Sequence, residues 1–188
     1  MDPQLRRKQR IIEILDVPFP ASLICKYDYY IHGSLIRTLK SKISTDYIVI
    51  LPNDTFAIAS IESNNIELWE GEQCFTLQGH TDRIMYLGYL SDKIISGSFD
   101  NTLRIWDIYT KECDFIFTGH TALISCIFPY KDKIISAAYD SSIRIWNLSS
   151  SECEMILEDH IDMITHIKIL KDGRVISASH DKTLRVWK

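Results

Sequence analysis

Histidine, serine and aspartate recur together in this sequence of 188 residues, and hydrolases use that combination for nucleophilic catalysis. In such a triad the serine attacks the substrate, the histidine takes its proton and the aspartate orients the histidine. One triad is enough for an enzyme, whereas here the combination occurs three times at nearly constant spacing, each time with a tryptophan. The three sets are His80, Ser96, Asp100 and Trp106; His120, Ser136, Asp140 and Trp146; and His160, Ser177, Asp181 and Trp187. Repetition in register favours a structural hydrogen-bond network, so we predict no catalytic residue and no enzyme activity.

The other groups that commonly hold a metal or a cofactor show no ligand spacing. The five cysteines are odd in number and contain no CxxC pair, which argues against a disulfide framework and against a zinc site. His32, His166 and His180 do not follow a ligand spacing either. The seven glycines form neither GxGxxG nor GxxxxGK[ST], the two loops that cradle phosphates. The sequence therefore predicts no metal and no cofactor.

Charge and hydropathy patterning exclude further classes of function. The formal net charge of −4 argues against a general nucleic-acid binder, because such proteins carry a basic excess that displaces counterions. No apolar run approaches the roughly 20 residues of a membrane span, and the charged N-terminus lacks the cleavage site of a secretory signal. We therefore expect no membrane partner and an intracellular protein, cytoplasmic in the simplest case, with a nuclear location as the alternative.

A repeat organises most of the chain, since the histidines of the three sets lie 40 residues apart. Each unit contains four short runs rich in β-branched and aromatic residues, separated by turn residues. In the unit that begins at Gly79 the runs cover residues 84–89, 93–97, 102–106 and 113–117. The Asp100-Asn101 pair between the second and third runs suits a tight hairpin turn. Four strands per unit at this period predict propeller blades, and the runs lack the 3.6-residue apolar spacing of a helical solenoid.

The motifs of these units resemble those of the WD-repeat family from about residue 47 to residue 188. The matching features are the Gly-His start, the SGSxD-like strand end, the aspartate six residues before the tryptophan and the Trp106-Asp107 pair. In that family the His, Ser, Asp and Trp of a repeat form a hydrogen-bonded chain across the blade, which implies the same role for the three sets above. The resemblance implies an all-β WD-repeat β-propeller, in which equivalent histidines lie around a ring and do not converge on a metal.

An earlier, degenerate unit precedes the three clear ones. Its first three strand positions, obtained by aligning Trp69 with Trp106, are residues 47–52, 56–60 and 65–69. In this alignment Lys42 stands near the histidine position, Ala59 replaces the serine and Ser63 replaces the aspartate. The network cannot form with these residues, so we expect this blade to rely on apolar packing alone.

The units predict about four blades, at about residues 43–78, 79–118, 119–158 and 159–188, whereas the family usually has more. The last unit stops after its third strand, and a strand at 35–39 could supply the missing fourth strand. Residues 22–28 resemble the third strand of a further unit that has lost most of the repeat pattern. Three alternatives stay open: the product is truncated or forms an incomplete arc, two copies pair into a larger ring, or the chain closes as a small propeller. An incomplete arc exposes sheet faces and strand edges that favour self-association.

Residues 1–21 are predicted to form a helical extension ahead of a propeller that covers residues 22–188. Four basic residues near the start are followed by an apolar stripe, and Pro18 and Pro20 end the helix. We expect the stripe to pack on the propeller; a nuclear signal or a partner-docking helix is the alternative.

The family resemblance also implies where partners bind. Partners of WD-repeat proteins often dock where the turn between the second and third strands meets the start of the first strand. The matching positions are Glu62, Phe99, Tyr139 and His180 before the turn, and Tyr47, Arg83, Met85, Leu123, Ser125, Met163 and Thr165 near the first strand. Phe, Tyr, Met and Arg are side chains that dominate interface hot spots. For Met85, Leu123 and Met163 the alternative is packing inside the blade or its central channel.

The predicted function is a non-catalytic scaffold that binds other proteins. The repeats are similar to those of F-box/WD-repeat substrate receptors, which implies a substrate-recognition subunit of a ubiquitin ligase as an alternative. Receptors of that group that bind phosphorylated peptides use several arginines at these face positions, whereas only Arg83 is basic here. The first 35 residues also cannot hold an F-box. A truncated fragment without independent activity is the remaining alternative.

Overall fold

The computed structural model describes residues 38–188 of the chain. Every regular element in this part is a β-strand, which confirms the all-β prediction. Within the same part no helix is long and apolar enough to cross a membrane. The predicted helical extension at 1–21 and the predicted strand at 22–28 lie outside the described residues, and so does most of the predicted closing strand at 35–39.

The strands form four antiparallel sheets, and in each sheet every strand pairs with the next one along the chain. Sheet 1 contains β1 (Tyr47–Ile50), β2 (Thr55–Ala59), β3 (Ile66–Glu70) and β4 (Gln73–Leu77). Sheet 2 contains β5 (Ile84–Leu90), β6 (Lys93–Ser98), β7 (Leu103–Asp107) and β8 (Cys113–Phe117). Sheet 3 contains β9 (Ile124–Tyr130), β10 (Lys133–Ala138), β11 (Ile143–Asn147) and β12 (Cys153–Leu157), and sheet 4 contains β13 (Ile164–Ile169), β14 (Val175–Ser179) and β15 (Leu184–Trp187). The strands of sheet 2 agree with the predicted runs to within one residue.

A residue with a left-handed backbone makes the turn between the second and third strands of sheets 2, 3 and 4. Asn101, Ser141 and Lys182 occupy this position with φ of 65°, 66° and 68°. Asparagine tolerates this region with little strain, whereas serine and lysine adopt it at a cost that the surrounding structure must offset. The aspartate just before each of them accepts backbone hydrogen bonds across the turn and so stabilises it.

The sheets stack side by side because each has two apolar faces. We name the face that packs on the preceding sheet the leading face, and the face that packs on the following sheet the trailing face. Between sheets 2 and 3 the trailing face contributes Ile95, Leu103 and Ile105, and the leading face contributes Ile124 and Ile127, all of them buried. The same pairing of faces forms the cores between sheets 1 and 2 and between sheets 3 and 4. The first strands of successive sheets are neighbours, which gives an arc of propeller blades.

The two ends of this arc are not packed on each other. The leading face of sheet 1 exposes Ile48 and Ile50, which are 62% and 70% exposed. The trailing face of sheet 4 exposes Leu184 and Val186. In a small closed ring these two faces would bury each other, so the described residues do not adopt that alternative.

Gly97 of β6 lies where sheets 2 and 3 approach each other closely. A Cβ atom at this position would lie 2.6 Å from Ile124 Cγ2 and 3.0 Å from Ile127 Cδ1. We predict that Gly97→Ala lowers the free energy of unfolding by about 1–3 kcal/mol, because overpacking a dense core forces strained side chains or backbone shifts. Urea unfolding of the variant beside the wild type measures this difference.

The same strand position carries Ala137 in sheet 3 and Ala178 in sheet 4, so alignment of the repeats alone would predict that alanine is tolerated. A double-mutant cycle tests the steric explanation, because Ile124→Ala removes the Cγ2 atom. Gly97→Ala should cost less in the Ile124→Ala background than in the wild type. An equal cost in both backgrounds would show that the contact with Ile124 Cγ2 is not the cause.

Candidate functional site

Each clear repeat contains a continuous chain of hydrogen bonds from the middle of the sheet to the turn. In sheet 2, Trp106 Nε1 donates to Ser96 Oγ at 2.8 Å, and Ser96 Oγ lies 2.8 Å from His80 Nε2. His80 Nδ1 lies 2.8 Å from Asp100 Oδ2. All three distances are 2.8 Å in sheet 3 as well, and in sheet 4 they are 2.8, 2.8 and 2.6 Å. The structure thus brings together every member of the three sets named from the sequence.

The aspartate at the end of each chain is held in its ionised form. Burial alone would raise the pKa of the Asp100 carboxyl, but hydrogen bonds from His80, Thr102 and the backbone N–H of Thr81 outweigh burial and hold it well below its usual range. The pKa values of Asp140 and Asp181 are lowered for the same reasons. An ionised carboxylate can only accept hydrogen bonds. Each histidine therefore donates from Nδ1 and accepts the serine hydroxyl at Nε2.

This order of donors is that of a catalytic triad, yet the serines are not placed to act as nucleophiles. Ser96 and Ser136 are fully buried, and Ser177 is 1% exposed. An indole N–H also donates to each of these hydroxyl oxygens. A nucleophile needs access to its substrate. The three chains therefore join sheet to turn and are not arranged for hydrolysis.

The described cysteines, Cys74, Cys113, Cys126 and Cys153, are free thiols. Burial raises the pKa of the Cys126 thiol, which reduces its reactivity. Among the residues that the structure describes, no group of His, Cys, Asp or Glu side chains is placed to hold a metal ion.

Sequence reasoning missed a fifth member of each hydrogen-bonded chain. Thr102, Ser142 and Thr183 stand two residues after the aspartate, and their hydroxyls donate to its Oδ1 atom at 2.6, 2.8 and 2.6 Å. Their backbone N–H groups donate to the same atom at 2.9, 3.0 and 2.8 Å. The signal was available, because a serine or threonine occupies this position in all three clear repeats and such residues favour local turn hydrogen bonds.

Sheet 1 has a polar network of its own, so the expectation that it relies on apolar packing alone is wrong. Glu67 is buried, and its Oε2 accepts a hydrogen bond from Trp69 Nε1 at 3.1 Å. Its Oε1 accepts from the backbone N–H of Lys42 at 3.0 Å. Nearer the turn, Ser60 Oγ donates to Asp46 Oδ2 at 2.9 Å. A glutamate thus takes the part that serine plays for the indole in the other sheets.

The strand register of sheet 1 also differs from the sequence alignment. Ile58 faces Glu67 across the β2–β3 pair, as Ser96 faces Arg104 across the β6–β7 pair. Ile58 and not Ala59 therefore occupies the serine position. The segment between the paired strands is longer in sheet 1, which shifts the register by one residue.

The positions predicted to bind partners lie at the end of the sheets where the second strand turns into the third, and we name this group of eleven predicted residues the turn face. Backbone hydrogen bonds join six of them in pairs, from Phe99 N–H to the Arg83 carbonyl at 2.9 Å, from Tyr139 to Leu123 at 3.0 Å and from His180 to Met163 at 2.9 Å. The Arg83 guanidinium also lies over the Phe99 ring, 4.7 Å from its centroid. The residue before each turn aspartate is therefore held beside the start of the first strand.

Exposure differs among these residues. Glu62, Arg83 and His180 are exposed, and Phe99 and Tyr139 are half-buried. The remaining members, Tyr47, Met85, Leu123, Ser125, Met163 and Thr165, are half-buried as well. Glu62, Arg83 and His180 are therefore the most accessible members of the turn face.

Two members of the turn face are influenced by other parts of the structure, and one of them, Ser125, links two sheets. Ser125 Oγ lies 2.5 Å from the carbonyl oxygen of Ile164, to which it can donate, and Ile164 belongs to the next sheet. Burial raises the pKa of the Tyr47 phenol, and the charges of Asp46 and of Tyr139 in sheet 3 raise it further.

We predict that Ser96→Ala lowers the free energy of unfolding by about 1–3 kcal/mol for each polar group that it leaves without a partner. The variant removes the acceptor of Trp106 Nε1 and the donor to His80 Nε2, both of which are buried. Chemical denaturation followed by tryptophan fluorescence measures the loss. Ser149→Ala, at an exposed turn, is the matched control and should change stability by less than about 0.5 kcal/mol. Similar losses for both variants would mean that the network adds no stability.

We also predict that the protein loses stability in acid because of the turn aspartates. An unfolded aspartate has a pKa of about 3.9, and the lower pKa in the folded state means that the stabilisation is complete above this value. It begins to fall as the pH drops below about 4, where the unfolded chain takes up protons first, and the loss continues down to the lower pKa of the folded state.

Thermal unfolding followed by circular dichroism between neutral and acidic pH measures this loss. Asp100→Asn should unfold at a lower temperature at neutral pH and show a weaker pH dependence below about 5. Asp132→Asn, at an exposed position, should retain the wild-type pH dependence. Identical pH profiles for Asp100→Asn and the wild type would contradict the assignment.

The chain is similar to known proteins in sequence and in structure. It is 34% identical over 116 residues to WD repeat-containing protein pop2 of Schizosaccharomyces pombe, a match that covers 55% of this chain and 15% of that protein. Its structure is similar to the WD40 β-propeller domain of Doa1, with a TM-score of 0.71, 22% identity, and coverage of 79% of this chain and 52% of that one. It is also similar to the computationally designed Ika4 protein, with a TM-score of 0.74, 22% identity, and coverage of 83% of this chain and 98% of that one. The two structural matches show the fold, and the chain spans only a small part of pop2.

The repeats themselves match a known family profile. The family described as "WD domain, G-beta repeat" matches residues 71–107, 111–147 and 151–188. These segments make up more than half of the chain, and each ends at or just after the tryptophan of one hydrogen-bonded set. Stacked antiparallel sheets with these networks and this profile show that the protein belongs to the WD40 repeat family.

Proposed function

We propose that this protein is a non-catalytic scaffold that binds partner proteins on its turn face. The observation that carries the proposal is the fixed pairing of Arg83 with Phe99, of Leu123 with Tyr139 and of Met163 with His180. The pairs place large side chains side by side at one end of three successive sheets. Aromatic rings and arginine are the groups that most often dominate binding energy at protein interfaces.

The turns that present these side chains are rigid for a structural reason. Asp100 accepts hydrogen bonds from His80, from Thr102 and from the backbone of Thr81, so the turn is tied to a buried network. Asp140 and Asp181 tie their turns in the same way. A surface that is ordered before binding loses less conformational entropy on association. This supports binding by a preformed surface over binding by a loop that folds onto its partner.

In this proposal the binding unit is residues 22–188, with repeats at about 43–78, 79–118, 119–158 and 159–188, and residues 1–21 are an extension outside it. WD40 repeats commonly serve as platforms for other proteins, and the turn face offers no basic cluster for nucleic acid, since Arg83 is its one arginine and it has no lysine. The free thiols of the described cysteines support a reducing, intracellular compartment.

We predict that the variant with Phe99→Ala, Tyr139→Ala and His180→Ala binds peptide ligands at least about tenfold more weakly. Truncation of a hot-spot side chain lowers the free energy of binding by more than about 1.4 kcal/mol, which corresponds to a factor of ten in affinity. The ligands come from a displayed peptide library selected on the wild-type chain, and calorimetry measures their affinity. Tyr109→Ala is the control, since Tyr109 is 66% exposed and lies in the turn between β7 and β8, at the opposite end of the sheet. The thermal unfolding midpoint should change little in either variant. Ligands that bind the triple variant as tightly as the wild type would rule out the turn face as their site.

A further inference from the structure

The trailing face of sheet 4 is an interface surface without a partner among the described residues. Strand register places Leu103, Ile143 and Leu184 at equivalent positions of sheets 2, 3 and 4. The first two pair with the fourth strand of their own sheet, are covered by the following sheet and are fully buried, whereas Leu184, in a described sheet of three strands, is 70% exposed. Val186 is 50% exposed at the position where Ile105 is 3% exposed. Apolar side chains at the positions that form the core inside the arc therefore face solvent at this end.

The leading face of sheet 1 is the matching half of that interface. Leu87, Ile127 and Ile167 occupy equivalent positions in the first strands of sheets 2, 3 and 4 and are 9%, 1% and 1% exposed. Ile48 occupies this position in sheet 1 and is 62% exposed. Each end of the arc thus lacks a packing partner, and the other end presents a surface of the kind that is missing.

We propose that the trailing face of sheet 4 in one copy of the chain packs on the leading face of sheet 1 in a second copy, and that the second copy returns the same contact, so that two chains close one ring. Head-to-tail contacts generate a closed ring when the rotation from copy to copy divides the full circle. The arc covers 52% of the WD40 propeller domain of Doa1, so two arcs match the extent of one complete propeller.

The interface between sheets 2 and 3 identifies the residues that meet. A Cβ atom at Gly97, which pairs with Leu103, would lie 3.0 Å from Ile127 Cδ1. The same Cβ atom would lie 2.6 Å from Ile124 Cγ2, so the row that contains Gly97 and Leu103 lies on Ile124 and Ile127. Ala178 and Leu184 form the equivalent row in sheet 4. Since Ile48 is the equivalent of Ile127, Leu184 of one copy meets Ile48 of the other.

A second copy fits these surfaces better than an unrelated partner. Apart from a fourth strand, which sheet 4 lacks among the described residues, both end faces repeat the residue types and strand register of interfaces that already form three times in this chain. A single apolar ligand would match one end and leave the other exposed. Only a second copy, or further blades of the same kind, supplies both missing halves.

Sedimentation velocity of the full chain at micromolar concentrations tests the proposal. The wild type should sediment with twice the 21.8 kDa mass of one chain. Leu184→Asp and Ile48→Asp should each shift the protein to the monomer, because each places a charge in the apolar contact. Ile161→Asp is the control, since Ile161 is 86% exposed in the loop before β13, outside both end faces, and this variant should stay dimeric.

A charge-pair variant separates loss of the contact from loss of folding. The chain that carries both Ile48→Asp and Leu184→Lys should recover the dimer that Ile48→Asp alone loses, because the two new charges meet across each contact. A wild-type monomer overturns the proposal. A dimer that survives both single variants, or assembly beyond two copies, overturns it as well. The residues changed in the peptide experiment, Phe99, Tyr139 and His180, lie at the turns outside both end faces, so this experiment and the peptide experiment can fail independently.

Discussion

The structure depends on the burial of both faces of every sheet by neighbouring sheets. An antiparallel sheet often keeps one polar face toward water. Here isoleucine, leucine and alanine occupy the trailing face as well as the leading face, so a single sheet has no face suited to solvent. Stacking satisfies this constraint inside the arc and aligns the first strands around a common axis. The same constraint leaves the leading face of sheet 1 and the trailing face of sheet 4 uncovered.

Tryptophan connects this apolar stacking with the polar networks. The ring of Trp106 packs in the core between sheets 1 and 2, while its Nε1 donates to Ser96. From Ser96 the chain of hydrogen bonds continues through His80 to Asp100 at the turn. A buried polar network is compatible with a dense core when each of its members has a partner, as here. The position of Phe99 on the turn face is therefore coupled to the packing of the sheets.

Internal repetition explains how much could be predicted from the sequence. Three copies in one chain act as an alignment, so the strands of sheet 2 and the sets around His80, His120 and His160 could be read directly. The copy that departs from the pattern could not be read in this way. The longer turn in sheet 1 shifts the register of β2, and Glu67, at the position of Arg104, takes over as the acceptor for the indole. Contacts between sheets could not be predicted from the sequence either. Nothing in the residue types separates Leu103 from Leu184, whose exposure depends on whether a fourth strand and another sheet follow.

The turn face and the end faces do not compete for surface, because one lies at the ends of the strands and the others lie on the flat sides of the terminal sheets. Rotation about the axis of a ring preserves the direction of every strand along that axis. A ring of two copies would therefore place both turn faces on the same side of the assembly. A partner with two copies of a binding motif would engage both at once and gain affinity from the raised effective concentration of the second motif. Closure of the ring would thus strengthen partner binding without any new contact to the partner.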